Sequence, residues 1–193
     1  MKNQILKFYK TLILTFLLIF GIKIPSFCYE TVIINFPDNE GWHLVYSNKT
    51  VNETIVQFMP KGETRENWTR TVVFHSYPQM QERNVSAYAL QQRILQNVKN
   101  KNNTFKYKNI KSDINDTYGY WCVKQNSKMS AQCEILRTVQ GYETVISMHY
   151  INKNISDLKD IERPWLNIMK DVANYYSYYR MDRMLNRATI FEF

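Results

Sequence analysis

The sequence predicts an α+β fold in which an antiparallel β-sheet is covered by two amphipathic helices. Runs rich in β-branched and aromatic residues are separated by short polar turns, a pattern typical of strands joined by hairpins. Two other segments place their apolar residues at helical spacing instead. The order is strands, helix, strands, helix, and each amphipathic helix needs a sheet face on which to bury its apolar side.

Four strands are predicted before the first helix, and each is followed by residues that favour a turn. Proline follows the first, third and fourth runs, at Pro37, Pro60 and Pro78, where it cannot continue a hydrogen-bonded strand. The polar residues between the second and third runs indicate a hairpin. The four predicted strands are residues 31–36, 42–47, 53–59 and 69–77.

The two helices are recognised by residues that recur every three or four positions. The first is predicted over residues 84–99, with Asn84 or Ser86 as its N-cap. The second begins at Pro164, because proline is well suited to the first turn of a helix. The residues at helical spacing in the first helix are Ala87, Leu90, Gln91, Ile94, Leu95 and Val98. Those in the second are Trp165, Ile168, Met169, Val172 and Tyr176.

A strand over residues 104–110 and two hairpins lie between the helices. The first hairpin contains two cysteines, and the second joins residues 133–139 to residues 144–151. Pairing the first hairpin about its polar turn sets Cys122 opposite Cys133, within reach of a disulfide bond. A redox pair or half of a metal site is the alternative, but the C-x-x-C spacing and a nearby histidine are absent from the sequence. We therefore predict a structural disulfide.

Residues 1–28 have the pattern of an export signal. Lysines at positions 2, 7 and 10 precede an apolar run over residues 12–22, which is shorter than the ~20 residues that span a bilayer. Ser26 and Cys28 offer small side chains for cleavage after Cys28. We expect a cleaved signal at 1–28 and a single domain at 29–193. An uncleaved membrane anchor, a lipidated Cys28 and a buried N-terminal helix are the alternatives.

The charge of the chain depends on this segment. The 193 residues carry a net charge of +8, from 25 basic and 17 acidic residues. Such an excess is typical of proteins that bind nucleic acid or anionic membranes. Four of the basic residues and none of the acidic ones fall within residues 1–28, so residues 29–193 carry a net charge of +4. Since export also separates the protein from nucleic acid, we expect no nucleic-acid partner.

Several motifs of the chain occur together in a group of small exported bacterial proteins. Gly41-Trp42 precedes a strand, a Pro-x-Gly turn at 60–62, an Asn-Trp step at 67–68 and a further strand that contains residues 71–74. The later Val-Gln-Gly-Tyr-Glu sequence at 139–143 also fits. The chain resembles that uncharacterised family, and its order of elements is similar to the PsbP/Mog1-like α-β-α sandwich. The resemblance implies an exported protein with that fold and carries over no catalytic residue.

Candidate catalytic residues are few. His43, His75 and His149 each lie in a strand-like run and could converge on zinc in a folded sheet, but their spacing matches no metal motif. The sequence contains no G-x-S-x-G motif and no glycine-rich phosphate loop. We therefore expect no cofactor and a non-enzymatic function. A small exported hydrolase or metal-binding protein that uses the strand histidines is the alternative.

A basic segment with interleaved aromatic residues follows the first helix. In an exported protein its candidate ligand is an anionic surface, such as lipid headgroups or glycans, and this would allow peripheral membrane contact. The alternative is a solvated helix end and strand edge, where lysines discourage edge pairing. Phe105 and Tyr107 are the interleaved aromatic residues. The basic residues are Lys99, Lys101, Lys106, Lys108 and Lys111.

The C-terminal segment combines a block of tyrosines with arginines at near-helical spacing. It is a candidate docking helix, because aromatic and arginine side chains are enriched at protein interfaces. The alternative is that the tyrosines complete the packing of the helix while the arginines face water. The residues concerned are Tyr175, Tyr176, Tyr179, Arg180, Arg183 and Arg187.

These observations predict an exported, non-enzymatic binding or accessory protein of the bacterial envelope, either periplasmic or secreted. Its partner is expected to be an envelope component or another protein. Two alternatives remain. The first is the small hydrolase or metal-binding protein, and the second is an envelope-anchored assembly component that docks through its C-terminal helix.

Overall fold

The computed structural model describes residues 29–177 and 189–192, which form two antiparallel β-sheets and four helical segments. The predicted mixed class with an antiparallel sheet is confirmed, and strands predominate over helices. The strands are β1 (Tyr29–Ile34), β2 (His43–Lys49), β3 (Thr54–Met59), β4 (Arg70–Tyr77), β5 (Lys106–Ser112), β6 (Asp116–Val123), β7 (Gln132–Gln140), β8 (Val145–Asn152), β9 (Ala173–Ser177) and β10 (Thr189–Glu192). The helices are α1 (Pro78–Glu82), α2 (Ala87–Lys101), the single-turn 3₁₀ helix η1 (Leu158–Asp160) and α3 (Arg163–Asp171).

The larger sheet has seven strands in the order β2-β3-β4-β8-β7-β6-β5, with every neighbouring pair antiparallel. Two hairpin-connected groups, β2 to β4 and β5 to β8, join side by side where β4 pairs with β8. The helices α1 and α2 lie between the two groups in the chain. As a result β8 lies at the centre of the sheet and is paired on both sides.

One face of this sheet holds the main apolar core. Alternate side chains of the strands point to it, including Phe74, Ile135 and Met148, and they pack with Val32 of β1 and Trp165 of α3. We call it the β1 face. Because β1 and α3 both lie on this side, the core is closed by a strand as well as by a helix.

The opposite face, here called the α2 face, is covered in part by α2. This helix packs mainly on β7, with further contacts to β6 and β8, and its Leu95 joins a buried cluster with Trp121 and Leu136. The Ser86 Oγ accepts a hydrogen bond from the backbone N–H of Ala89 at 3.1 Å, so the N-cap predicted at one of two positions is Ser86. The helix thus covers the β6–β8 half of the sheet.

The second predicted helix is shorter than expected. It ends at Asp171, and the chain continues as β9, so the prediction of helix as far as Tyr176 is wrong. Arg137 supplies the reason. Its Nη1 donates hydrogen bonds to the backbone carbonyls of three residues at this helix end, which leaves those groups satisfied without a further turn. The three carbonyls belong to Met169, Lys170 and Val172.

A second sheet was not predicted. Its three strands have the order β10-β1-β9, and β1 lies in the middle with antiparallel neighbours on both sides. The segment at 31–36 was correctly predicted as a strand, but its partners come from the far end of the chain. Sequence periodicity contains no information about such distant pairing.

Candidate functional site

A cavity of about 400 Å³ opens on the β1 face, at the end of the large sheet where the β2–β3 and β7–β8 turns lie. Its wall includes four buried polar residues, each from a different part of the fold: Glu30, Thr54, Ser76 and Thr144. The remaining lining residues are Lys49, Thr50, Val51, Pro78 and Glu143. We call this cavity the inter-sheet cleft. Its size is within the range of small-molecule sites.

Glu30 of β1 is the most unusual residue of the cleft, because it is a carboxylate that is only 5% exposed. Its Oε1 accepts hydrogen bonds from the Tyr142 backbone N–H at 3.1 Å and from Asn174 Nδ2 at 2.8 Å. Its Oε2 accepts one from Thr144 Oγ1. All three donors are neutral. Within the described part of the chain, no basic side chain comes within the 4.0 Å of an ion pair with Glu30.

Ser76 of β4 has no hydrogen-bond partner for its side chain among the described residues. The residue is 1% exposed. It stands directly opposite Thr54 in the β3–β4 register, so both hydroxyl-bearing residues lie side by side. A buried hydroxyl without a partner is costly, and an orphaned polar group beside a cavity is a position where a ligand can supply the missing bond.

The β7–β8 turn is built around the Glu30 carboxylate. A Cβ placed on Gly141 would lie 1.6 Å from Glu30 Oε1, and the two other closest atoms also belong to Glu30. Only glycine therefore fits at this position while the carboxylate stays in place. The turn holds the carboxylate against the large sheet, which couples the second sheet to the cleft.

The mouth of the cleft is acidic and partly apolar. A second cavity of about 440 Å³ adjoins it and is lined by Pro78, Glu82, Tyr142 and Glu143, two of which also line the cleft. Tyr142 is 65% exposed at this mouth. The described residues that line the two cavities supply three carboxylates and one ammonium group, so this lining is negative on a chain whose net charge is positive.

Two of the three candidate histidines lie next to each other on the α2 face. The rings of His75 on β4 and His149 on β8 have their centroids 5.3 Å apart. His75 Nδ1 lies 2.7 Å from Glu53 Oε1, and His149 Nδ1 lies 2.8 Å from Glu134 Oε1. A ring nitrogen that faces a carboxylate has to carry the proton, so Nε2 is the basic nitrogen of each neutral ring. Two of the three strand histidines thus lie beside each other, and each lies beside a carboxylate.

The third histidine does not join them. His43 is exposed at the start of β2, where its Nδ1 lies 3.3 Å from the Gly41 carbonyl. Within residues 29–177 and 189–192, no group of three or more His, Cys, Asp or Glu side chains is arranged to hold a metal ion. The three histidines therefore do not converge on a common centre.

The protonation of this cluster is shifted by its surroundings. Burial lowers the pKa of His75, and the nearby His149 lowers it further, while the hydrogen bond with Glu53 opposes both effects. Burial and the neighbouring Glu53 raise the pKa of Tyr77. Glu134, His149 and Ser147 form one hydrogen-bonded network, and the His75–Glu53 pair lies beside it.

This network has the distances of a Ser-His-acid triad. Ser147 Oγ lies 2.8 Å from His149 Nε2, and Glu134 holds the other ring nitrogen. Ser147 is 0% exposed, however, and β8 is hydrogen-bonded to a strand on each side. The backbone N–H groups of β8 are therefore engaged in hydrogen bonds of the sheet and cannot form an oxyanion hole. The arrangement satisfies buried polar groups and gives no acyl-transfer site.

The predicted disulfide is confirmed. Cys122 on β6 and Cys133 on β7 are directly opposed in register and bonded, with their Cα atoms 4.1 Å apart. Both are buried in the β1-face core. The bond is therefore a structural element of the hairpin and lies away from the inter-sheet cleft.

The lysine segment does not form one patch with its aromatic residues. Lys106 and Lys108 follow the alternation of β5 to the β1 face, whereas Phe105 and Tyr107 pack with the α2 cluster on the other side. Lys99 and Lys101 lie in the last turn of α2, and two of the β5 lysines have acidic partners. Those pairs are Lys106 with Asp157 at 3.9 Å and Lys111 with Asp116 at 2.7 Å.

The first two residues of the candidate docking helix are not helical. Tyr175 and Tyr176 lie in β9 and pair with Thr31 and Glu30 of β1, so they belong to a strand. The other four residues of that prediction, Tyr179, Arg180, Arg183 and Arg187, lie outside the described residues. The predicted signal at 1–28 also lies outside them.

The sequence analysis did not identify Glu30, Ser76 or Gly141. One signal was present, because Glu30 is the only charged residue of the strand Tyr29–Ile34. A charge in an otherwise buried strand requires specific partners. Those partners, however, lie more than a hundred positions away in the chain and only the fold brings them together.

Comparisons with known proteins returned no relatives. No family model matches the chain, and neither a curated protein nor a solved structure matches it. Among the described residues, none of the helices has both the length and the apolar character needed to cross a membrane.

Proposed function

We propose that this protein is an exported, non-enzymatic binding or accessory protein of the bacterial envelope, and that the inter-sheet cleft is its ligand site. One observation carries the proposal. The cleft combines a buried carboxylate, Glu30, with a buried hydroxyl, Ser76, that has no hydrogen-bond partner in the described structure. A protein that keeps such groups beside a cavity of ligand size gains their missing interactions when a small molecule binds.

The compartment follows from the sequence and is compatible with the structure. A disulfide between Cys122 and Cys133 is stable in an oxidising space, such as the periplasm or the outside of the cell. We propose that residues 1–28 direct export and are removed after about Cys28. The resemblance to small exported bacterial proteins with a PsbP/Mog1-like sandwich supports the same assignment.

The proposal is tested by ligand binding with matched variants. The full chain is produced with export, so that the disulfide forms, and its intact mass reports cleavage of the signal. Native mass spectrometry then detects small molecules that the protein retains or takes up from an extract of the producing organism. We expect binding that Ser76→Ala weakens and that Thr138→Val leaves unchanged. Binding that is equal in both variants, or none at all, would contradict the proposal.

Thr138 is a suitable control because it also carries a buried hydroxyl without a hydrogen-bond partner. It is 0% exposed, like Ser76 it lies in a central strand, and it belongs to β7 on the α2 face. Both substitutions remove one orphaned hydroxyl. Only the Ser76 substitution changes the cleft, so a difference between the variants reports on the cleft itself.

The second candidate is an acid–base enzyme that uses His75. Its support is the pair formed with Glu53, which directs the basic Nε2 of a part-exposed imidazole away from the carboxylate. Turnover of p-nitrophenyl esters by the purified full chain would be measured for the protein and for two variants. His75→Gln should abolish turnover and the exposed control His43→Gln should not. Absent or unchanged turnover would eliminate this candidate.

A further inference from the structure

We infer that the inter-sheet cleft binds a small primary ammonium compound with an apolar body. The inference rests on the proposed function, since it names the ligand class of the same cleft. It starts from the Glu30 carboxylate, which is 5% exposed and accepts hydrogen bonds from three neutral donors of the described residues. A buried charge that has only neutral partners favours a ligand that brings the opposite charge.

The hydrogen-bonding capacity of Glu30 leaves room for one more donor. A carboxylate offers about four acceptor positions. Within the described residues, two hydrogen bonds occupy Oε1 and one occupies Oε2, which leaves one position on Oε2 for a ligand. A protonated primary amine carries three N–H donors, and one of them fits this position.

Ser76 supplies the second point of attachment. Its unpaired Oγ can accept a hydrogen bond from another N–H of the same ammonium group. Thr54 stands opposite Ser76 and provides a further hydroxyl on the same wall. A neutral alcohol could meet the hydroxyls, but it would leave the Glu30 charge without compensation.

The charges and apolar groups around the cleft favour the same class of ligand, a primary ammonium compound. Among the described residues, the lining of the cleft and the adjoining cavity contains the three carboxylates of Glu30, Glu82 and Glu143 and one cation, Lys49. Such a negative lining attracts cations from solution. Val51 and Pro78 give the mouth apolar surface for an alkyl body, and the exposed ring of Tyr142 adds an aromatic face.

The experiment compares four probes that share one alkyl chain. They are n-butylammonium, n-butanol, butyrate and butyltrimethylammonium, each titrated into the millimolar range with the full chain in its oxidised form. Backbone amide shifts of Ser76 and Thr144 give the affinity. We expect n-butylammonium to bind most tightly, butyrate not to bind, and the quaternary cation to bind more weakly because it has no N–H to donate.

Two variants test whether n-butylammonium binds in the inter-sheet cleft. Ser76→Ala should weaken n-butylammonium binding about five-fold, the effect of one hydrogen bond, whereas Thr138→Val should not change it. If butanol or butyrate binds at least as tightly as the amine, the ammonium class is wrong and the cleft remains a binding site. If the quaternary cation binds equally well, donation to Ser76 and Glu30 is wrong. If no probe shifts these amides, both the inference and the proposed cleft function are overturned.

Discussion

The close approach of Gly141 to the Glu30 carboxylate allows a direct test of how the second sheet is joined to the first. In Gly141→Ala the new Cβ would lie 1.6 Å from Glu30 Oε1, a distance that two non-bonded atoms cannot adopt. Gly141 has no left-handed φ angle, so the alanine backbone itself is tolerated. The carboxylate must therefore leave its position, and it loses its three hydrogen bonds when it does so.

The expected cost can be estimated from those bonds. Hydrogen bonds to a charged group contribute about 1.5 kcal/mol each at the low end of the measured range, so the loss of three amounts to about 4.5 kcal/mol. The change from glycine to alanine also reduces the entropy of the unfolded chain, which returns about 0.5–1 kcal/mol. The net decrease in the free energy of unfolding is then about 3.5–4 kcal/mol.

A double-mutant cycle separates this mechanism from a general effect of the turn. Urea unfolding is measured for the original protein, for Gly141→Ala, for Glu30→Ala and for the double variant. Glu30→Ala removes the obstructing carboxylate, so Gly141→Ala should cost nothing in that background and should stabilise it slightly. If Gly141→Ala destabilises both backgrounds equally, the contact with Glu30 is not the cause and the reasoning fails.

Three further predictions concern the disulfide, the histidine cluster and the helix end. Replacing both Cys122 and Cys133 by alanine should lower the free energy of unfolding by about 3 kcal/mol, because the bond closes a short loop over 11 positions; an unfolding midpoint that is insensitive to reductant would contradict this. Because the pKa of His75 is lowered in the folded state, the unfolded chain binds the extra proton first, so stability should fall as the pH drops below about 6.5. His75→Gln should flatten this dependence in thermal unfolding, whereas His43→Gln should retain it, and equal profiles would refute the assignment. Arg137→Lys keeps the charge but not the planar set of donors, so it should cost about 2 kcal/mol and speed amide exchange in α3 and β9; protection that is unchanged would show that the helix end needs no such cap.

Local patterns predicted local structure well. The period-two runs identified the strands of both hairpin groups, and the register about the cysteine turn gave the Cys122–Cys133 bond. The helical spacing identified α2, and a serine before its first turn gave the N-cap at Ser86. These features depend on neighbours within a few positions, so the sequence contains the information that decides them.

The C-terminal part was predicted less well because the deciding contacts are distant. The spacing of Trp165, Met169 and Val172 continues to Tyr176, so periodicity alone extends the helix. In the fold, Arg137 binds the carbonyls at the end of α3, and β1 offers a strand edge for the residues that follow. Tertiary partners thus override a local helical pattern.

The candidate site was the least predictable feature. Alternation along β5 could have shown that Lys106 and Phe105 point to opposite faces, which divides the predicted basic and aromatic patch. By contrast, no local pattern associates Glu30 with Ser76 and Thr144, because these residues come from β1, β4 and the β7–β8 turn. Their significance depends on burial and on missing partners, and both are properties of the assembled molecule.

The mixed class, the hairpins, the position of α2 and the cysteine pair could be read from local sequence patterns, which also led to the proposal of an exported protein. These follow from hydrophobic periodicity and from residues that favour turns and caps, which act over a few positions. The pairing of β1 with β9 and β10, in a sheet separate from the large one, could be learned only from the assembled fold. That pairing buries the Glu30 carboxylate beside Ser76 and forms the inter-sheet cleft. The physical reason is that the cost of a buried charge or an unpaired hydroxyl depends on which distant groups the fold places around it.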